Sequence, residues 1–436
     1  MLKQEDLQVA RLGTARHPSP LKLSTVHGDG IVNFVPDESR CLYQVERIPG
    51  TETRDDLSFE MAGPREKLYF EPGRVTSAIV TCGGLSPGLN SVIRSLFLQL
   101  YHHYGAHDVL GIRFGYTGLD PDHGAAPLQM TPDMVNNIHL DGGTILGSSR
   151  GPVPPSRVVD FLVDRGVNIL FTIGGDGTQA GAHAIAEEIN RRGEKIAVIG
   201  IPKTIDNDIR FVYRTFGYSS AVDVAQDVIT CAHTEARGAP NCVAVVKLMG
   251  RDAGFIAAGA SVASQDVNFC LVPEVPFGLE GEKGLLELLK KRILSRDHAV
   301  IVVAEGAGQD LVECDPKNRD ASGNKRYGDI GRFLSQRIKQ YFADQRIELN
   351  LKYIDPSYIV RSVPANSHDQ ILCDMFARNA VHAGMAGKTD MIVGLWHGVP
   401  IHVPIGAAVA EKKHMSTESA LWMGVLDTTG QPARIG

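Results

Sequence analysis

Two short polar clusters carry side chains suited to phosphate chemistry. The first is Gly174-Gly175-Asp176-Gly177-Thr178, and the second is Pro202-Lys203-Thr204-Ile205-Asp206-Asn207-Asp208. Glycines let a phosphate come close to the backbone, and a helix N-terminus after them favours an anion. Asp176 can hold Mg²⁺ there, directly or through water. The plainer reading is a tight turn whose aspartate caps the helix. In the second cluster Asp206 and Asp208 repel each other unless a cation or a substrate compensates. A positioned carboxylate is also a good base for a hydroxyl. With Lys203 beside them, the set suggests chemistry on a phosphate with a metal and a base. No Gly-x-x-x-x-Gly-Lys-Ser/Thr motif is present, so this is not a P-loop enzyme.

Further polar groups stand at the ends of apolar runs. Met249-Gly250-Arg251 and Tyr358-Ile359-Val360-Arg361 each present an arginine, whose planar fork suits phosphate. A surface ion pair is the commoner fate of a lone arginine. Glu305 can accept sugar hydroxyls or cap a turn. Arg150, after Gly142-Gly143-Thr144 and Gly147-Ser148-Ser149, can bridge phosphates or decorate a loop. His368-Asp369 reads as a helix N-cap rather than a metal dyad. The fifteen histidines are otherwise scattered without metal-ligand spacing.

Alternating strands and helices must position these groups. Val75–Cys82, Val109–Phe114, Val167–Ile173 and Ile196–Ile201 read as strands. Between them Asn90–Tyr104, Ser156–Arg165 and Gln179–Arg192 read as helices. The second half repeats the pattern. Helix Ala221–Arg237 leads to strand Val243–Leu248, helix Phe255–Ala263 and strand Val267–Val272. Helix Lys283–Leu294 leads to strand Ala299–Val303, and helices Ile330–Phe342 and Gln370–Ala386 follow. Met391–Leu395 and Ile401–Ile405 suggest a late hairpin. Short apolar runs bounded by Gly or Pro are buried parallel strands, and ligands bind at their carboxyl ends. The pattern predicts βαβ units and an α/β fold. Asp315–Arg326 is polar and predicts a surface loop. Residues 1–72 show little periodicity; they drape over the body or reach a neighbouring subunit, with partial disorder as the plainer alternative.

The bulk properties set limits. The chain has 436 residues, 43% of them apolar, enough for two domains or more. A net charge of -6 gives no reason to expect nucleic acid or an anionic membrane as partner. The seven cysteines form no CxxC pair and suit a reducing cytosol. No signal peptide or membrane-spanning run is apparent, so a cytoplasmic protein is expected.

Taken together, these segments resemble the phosphofructokinase family. The residues carrying the resemblance are Gly83-Gly84 with Pro87-Gly88-Leu89-Asn90, Gly115-Tyr116, the 142–150 stretch, the two polar clusters, Met249–Arg251, Pro273-Glu274, Glu305 and Tyr358–Arg361. They span most of the chain from Arg74 onward, and look most like the long plant- and protist-type branch. The resemblance implies two similar three-layer, parallel-sheet (Rossmann-like) α/β domains with the active site in the cleft between them, plus an N-terminal extension. The extension would cover 1–72. The nucleotide-binding domain would cover 73–212, with a later segment at about 362–400 crossing back. The sugar-phosphate domain would cover 213–361, with part of 401–436.

The resemblance also implies residue roles. The reaction is phosphorylation of the 1-hydroxyl of fructose 6-phosphate in glycolysis, with ATP as donor and Mg²⁺ as cofactor. Asp206 matches the base, with Thr204, Asp208 and Lys203 around the transferred phosphate. Asp176 matches the Mg²⁺-associated acid, and Arg150 the residue bridging the phosphates. Gly83, Tyr116, Gly175, Gly177 and Thr178 match the nucleotide site. Met249, Gly250, Arg251, Glu305, Tyr358 and Arg361 match the sugar-phosphate site. A homo-oligomer, dimer or tetramer, is implied.

The donor is the open point. Members using pyrophosphate typically have Asp where this chain has Gly177, and Lys where it has Lys203. Those using ATP have Gly at the first place and usually Gly at the second. The mixture favours ATP, because a carboxylate at 177 would crowd and repel the α-phosphate. Pyrophosphate is the alternative donor. A non-catalytic sugar-phosphate-binding subunit would have no need of Asp176, Asp206 and Arg150. Kinases of NAD or lipids that share Gly-Gly-Asp-Gly lack the partner motifs. Cys242 stands where shorter bacterial members carry an intersubunit arginine, which leaves allostery and assembly open.

Overall fold

The computed structural model describes residues 2–47, 49–50, 52–122, 124–313 and 326–436. The expected loop Asp315–Arg326 therefore lies, but for Arg326, outside the described residues. In chain order the principal strands are β1 (Arg40–Leu42), β2 (Ser58–Met61), β3 (Thr76–Thr81), β4 (Asp108–Ile112), β5 (Leu128–Gln129), β6 (Ile169–Gly174) and β7 (Ala197–Pro202). They continue as β8 (Cys242–Leu248), β9 (Phe269–Leu271), β10 (His298–Ala304), β11 (Asn350–Ile354), β12 (Met391–Trp396) and β13 (Val399–Pro404).

The chain divides into two units. The first comprises Met1–Thr204, Ile209–Gly217 and Val363–Lys412; the second comprises Ile205–Asp208, Tyr218–Ser362 and Lys413–Gly436. The first unit holds a nine-stranded sheet in the order β1-β2-β13-β12-β7-β6-β3-β4-β5. Its centre, β12-β7-β6-β3-β4, is parallel throughout. Every residue of β6 and β7 is buried, as a parallel sheet covered on both faces requires. The second unit holds a four-stranded, all-parallel sheet in the order β9-β10-β8-β11. Each sheet is flanked by helices, so both units are α/β.

The N-terminal segment drapes over the first unit. Its strands β1 and β2 extend the central sheet through β13. A buried ion network fastens it further. Lys388 Nζ lies 2.6 Å from Glu60 and 2.9 Å from Asp37, and Arg65 lies 3.0 Å from Glu60. His402 Nδ1 lies 3.2 Å from the same Glu60 oxygen.

Several expected elements shift. The first helix ends at Leu98 and widens into a π-turn over Gln99–His103, capped by buried Tyr104, whose hydroxyl meets His382 Nδ1 at 2.7 Å. The expected strand Val267–Val272 shortens to β9, because the Asn268 side chain accepts from Val300 N–H in place of a ladder bond. Asn168 does the same for Thr76 before β6. His368-Asp369 does not cap its helix. Asn366 is the cap, accepting from the Asp369 N–H at 2.9 Å, and the helix runs Ser367–Met385. The late hairpin forms with His397 and Gly398 both at positive φ. Among the described residues no helix is long and apolar enough to cross a membrane.

Candidate active site

In the first unit, β7, β6, β3 and β4 are parallel neighbours, so their carboxyl ends bring four loops together. Gly83 follows β3 with φ of +84°, and a side chain there would meet Lys203 Nζ at 3.4 Å. The Lys203 ammonium donates to the Gly84 carbonyl oxygen. Arg150 is exposed at the end of a loop laid along Gly83. The Gly83 N–H donates to Ser149 O at 3.0 Å, and Ser148 Oγ donates to Gly83 O at 2.7 Å.

Gly175 precedes helix Asp176–Arg192, and Asp176 is its first residue, partly exposed. The positive end of this helix faces the turn. Gly174 admits no side chain, because Thr178 fills the space at 2.2 Å. Gly177 differs: a Cβ there meets nothing within 4 Å. Tyr116 lies beneath the turn and presents no hydroxyl to a ligand. Its ring is 8% exposed and its hydroxyl donates to Thr178 O at 2.7 Å. Burial pushes that phenol well above its ordinary value.

Sequence reasoning missed Gln179. Its amide is fully buried and Nε2 donates to Gly174 O and Ile201 O, at the ends of β6 and β7. Gly200 leaves room for the other end of the same amide, 2.1 Å from where a Cβ would stand. A glycine inside a strand, with a glutamine in the first turn of the helix before it, was the available signal.

The second cluster divides after Thr204, whose carbonyl oxygen accepts from Thr215 Oγ1 at 2.7 Å within the first unit. Ile205–Asp208 belongs to the second unit, where Ile205 joins the apolar core. Asp206 is partly exposed, Asn207 has φ of +54°, and Asp208 is buried.

In the same unit β10, β8 and β11 are parallel neighbours, and their carboxyl ends carry Glu305, Met249–Arg251 and Tyr358–Arg361. The first two loops are keyed to each other. Arg251 N–H donates to Glu305 Oε1 at 3.1 Å, and Glu305 N–H donates to Leu248 O at 2.9 Å. Gly250 has φ of +144°, where a side chain would strike Ala253 O at 2.5 Å. Burial raises the Glu305 carboxyl above its usual range, and the Arg251 N–H and charge oppose that. Met249 is half-buried; Tyr358 is 74% exposed, with the Arg361 guanidinium 4.8 Å from its ring centre.

A strap at 413–415 also escaped the sequence reading. Lys413 N–H donates to Asp208 O at 2.9 Å, and Met415 N–H donates to Glu274 Oε1 at 2.9 Å. His414 Nδ1 donates to Asp252 O at 3.0 Å. Glu274 also accepts from Gly254 N–H at 3.0 Å. Three consecutive residues thus tie three loops of the second unit, each through a bond with a backbone group at one end or both.

Among the described residues no group of three metal-ligating side chains exists. Asp176 alone, at a helix start, fits an Mg²⁺ that is carried largely by phosphates and water rather than held in a protein cage.

Residues 76–384 match the model of the family described as phosphofructokinase. The chain is 46% identical to an ATP-dependent 6-phosphofructokinase of Borreliella burgdorferi, covering 98% of this chain and 97% of that one. It is 47% identical to ATP-dependent 6-phosphofructokinase 7 of Arabidopsis thaliana, covering 87% and 78%. A solved pyrophosphate-dependent phosphofructokinase from Marinobacter aquaeolei shares the fold, with a TM-score of 0.66 at 20% identity over 83% of this chain and 92% of that one.

Proposed function

The chain belongs to the phosphofructokinase family, and we infer on that footing that it is an ATP-dependent 6-phosphofructokinase. It transfers the γ-phosphoryl group of ATP to the 1-hydroxyl of fructose 6-phosphate, giving fructose 1,6-bisphosphate and ADP. The observation that carries the donor is Gly177, with open space where a side chain would stand. That space suits the further phosphate and nucleoside that ATP has and pyrophosphate lacks.

We assign donor binding to Gly83, Gly175, Gly177, Thr178 and Arg150 of the first unit. Their turn amides and the helix end offer positive potential to phosphate oxygens. Tyr116 acts through Thr178 as a positioning residue. Lys203 and Thr204 stand around the phosphoryl group as it passes to the sugar hydroxyl. Asp176 would hold Mg²⁺, which when bound neutralises phosphate charge.

Met249, Gly250, Arg251, Glu305, Tyr358 and Arg361 of the second unit bind the sugar phosphate. Arginine forks fit its phosphate, and the half-buried Glu305 carboxylate accepts its hydroxyls. Asp206 takes the proton from the 1-hydroxyl as the oxygen attacks phosphorus, and Asp208 supports the charge balance around it. Positioning and charge neutralisation are what phosphoryl transfer chiefly needs. A cytoplasmic homo-oligomer, dimer or tetramer, completes the reading.

The test is the initial rate of fructose 1,6-bisphosphate formation from fructose 6-phosphate and Mg²⁺, with ATP or with pyrophosphate. Turnover with ATP and none with pyrophosphate is expected. Turnover with pyrophosphate alone would mean that Lys203 sets the donor.

A further inference from the structure

His233 and His298 face each other in the second unit, at the opposite end of β10 from Glu305. His233 lies on helix Tyr218–Arg237, and His298 is the first residue of β10. Their Nε2 atoms are 3.3 Å apart, and their ring centroids 5.3 Å. Both rings are fixed from behind. His233 Nδ1 lies 2.9 Å from Asp266 Oδ1, and His298 Nδ1 lies 2.9 Å from the Arg296 carbonyl oxygen.

Those two acceptors settle the tautomers. A carbonyl or carboxylate oxygen only accepts, so each Nδ1 carries the hydrogen. Two neutral rings then turn bare Nε2 lone pairs toward each other. That contact is repulsive unless a cation joins them. A proton is one such cation. Burial pushes the His298 imidazole below its ordinary value, and the charges of His233, Arg292 and Arg237 push the same way against the Arg296 carbonyl.

The spacing matches another cation. Tetrahedral zinc with Zn–N bonds of about 2.0–2.1 Å places two nitrogens about 3.3 Å apart. A metal-bound histidine usually donates its other N–H to a carboxylate or a backbone carbonyl, and here one ring does each. We propose that His233 and His298 form a two-imidazole site for a divalent transition cation of the Zn²⁺, Ni²⁺ or Cu²⁺ class, with Asp266 orienting His233 and water completing the coordination. Imidazole nitrogen suits these ions rather than Mg²⁺, so the site is independent of the phosphate chemistry. A bound ion fastens helix Tyr218–Arg237 to the amino end of β10. Arg237 and Arg292 oppose it and set a ceiling on affinity.

Calorimetric titration of the full, tag-free chain with Zn²⁺ and with Ni²⁺, in excess Mg²⁺, tests this. One equivalent is expected to bind, and His233→Ala and His298→Ala should each abolish it. Asp266→Asn should weaken it by about 10- to 100-fold, a loss that a merely structural aspartate would not produce. The milder His298→Gln keeps the fold testable if an alanine variant does not fold, and it should also lose binding. No saturation below about 1 mM metal, or binding that survives both histidine substitutions, would overturn the proposal.

Discussion

Gln179 Nε2 donates to Ile201 O at 3.2 Å and so ties the carboxyl end of β7 to the start of the helix that opens with Asp176. The same nitrogen reaches Gly174 O at 3.1 Å. The two polar loops of the first unit thus share one buried amide. Replacing it by a nonpolar isostere removes this donor from Ile201 O, while Gly174 O keeps the Lys203 N–H, at a cost of about 1–3 kcal/mol. Gln179→Leu is expected to lower thermal stability by that order and to reduce kcat by more than Gln179→Glu does. Wild-type kcat in Gln179→Leu would remove the amide from the positioning of the turn.

Asp206→Asn should lower kcat by about 10²- to 10⁴-fold, the usual range for loss of a general base. Fructose 6-phosphate affinity, measured by equilibrium binding, should stay near wild type. Near-normal turnover would transfer the proton-accepting role to another group.

Gly177→Asp is sterically open within the protein, so the variant should fold with stability within about 0.5 kcal/mol of wild type. The new carboxylate would repel the nucleotide phosphates. The KM for ATP is expected to rise by about 10- to 100-fold, consistent with like charges at close range in partly screened surroundings. Unchanged ATP kinetics would detach donor choice from this position.

His402 sets an acid limit on the first unit. It is 1% exposed, and burial lowers its imidazole from 6.5 to about 4, against the pull of Glu60. The unfolded chain regains the ordinary value and takes up a proton that the folded state refuses. The contribution is fully present above pH 6.5 and is lost as pH falls toward 4. A shift of this size corresponds to roughly 3 kcal/mol over the window. Denaturant midpoints of wild type should therefore fall on acidification, and those of His402→Gln should fall less steeply. Parallel pH profiles would show that another group carries the acid sensitivity.

The central sheets were legible because parallel strands buried on both faces leave continuous apolar runs, and β3, β6, β7, β8 and β10 all do. The edges were not. β11, Asn350–Ile354, is only half-buried and carries Lys352, so its composition resembles a loop. β1 and β2 are stabilised by a partner far along the chain and by buried charges, which read locally as polar, exposed sequence. Loop glycines and acids marked the two groups of candidate residues because their types are chemically unusual at strand ends. The strap at 413–415 and the buried Gln179 act through hydrogen bonds to backbone, and residue type alone does not announce them. Tyr116 was assigned to the nucleotide site by resemblance alone, and its hydroxyl bond to Thr178 O is another contact with backbone that residue type does not announce.

The pairing of β2 with β13 also orders events during synthesis. Glu60 meets His402 across 342 residues of chain. At roughly 5–20 residues per second, β2 waits about 20–70 s on the ribosome before its partner strand has been made. The segment that carries β2 is therefore made well before the strand it docks on. Its docking extends the sheet past β13 only once that later strand exists.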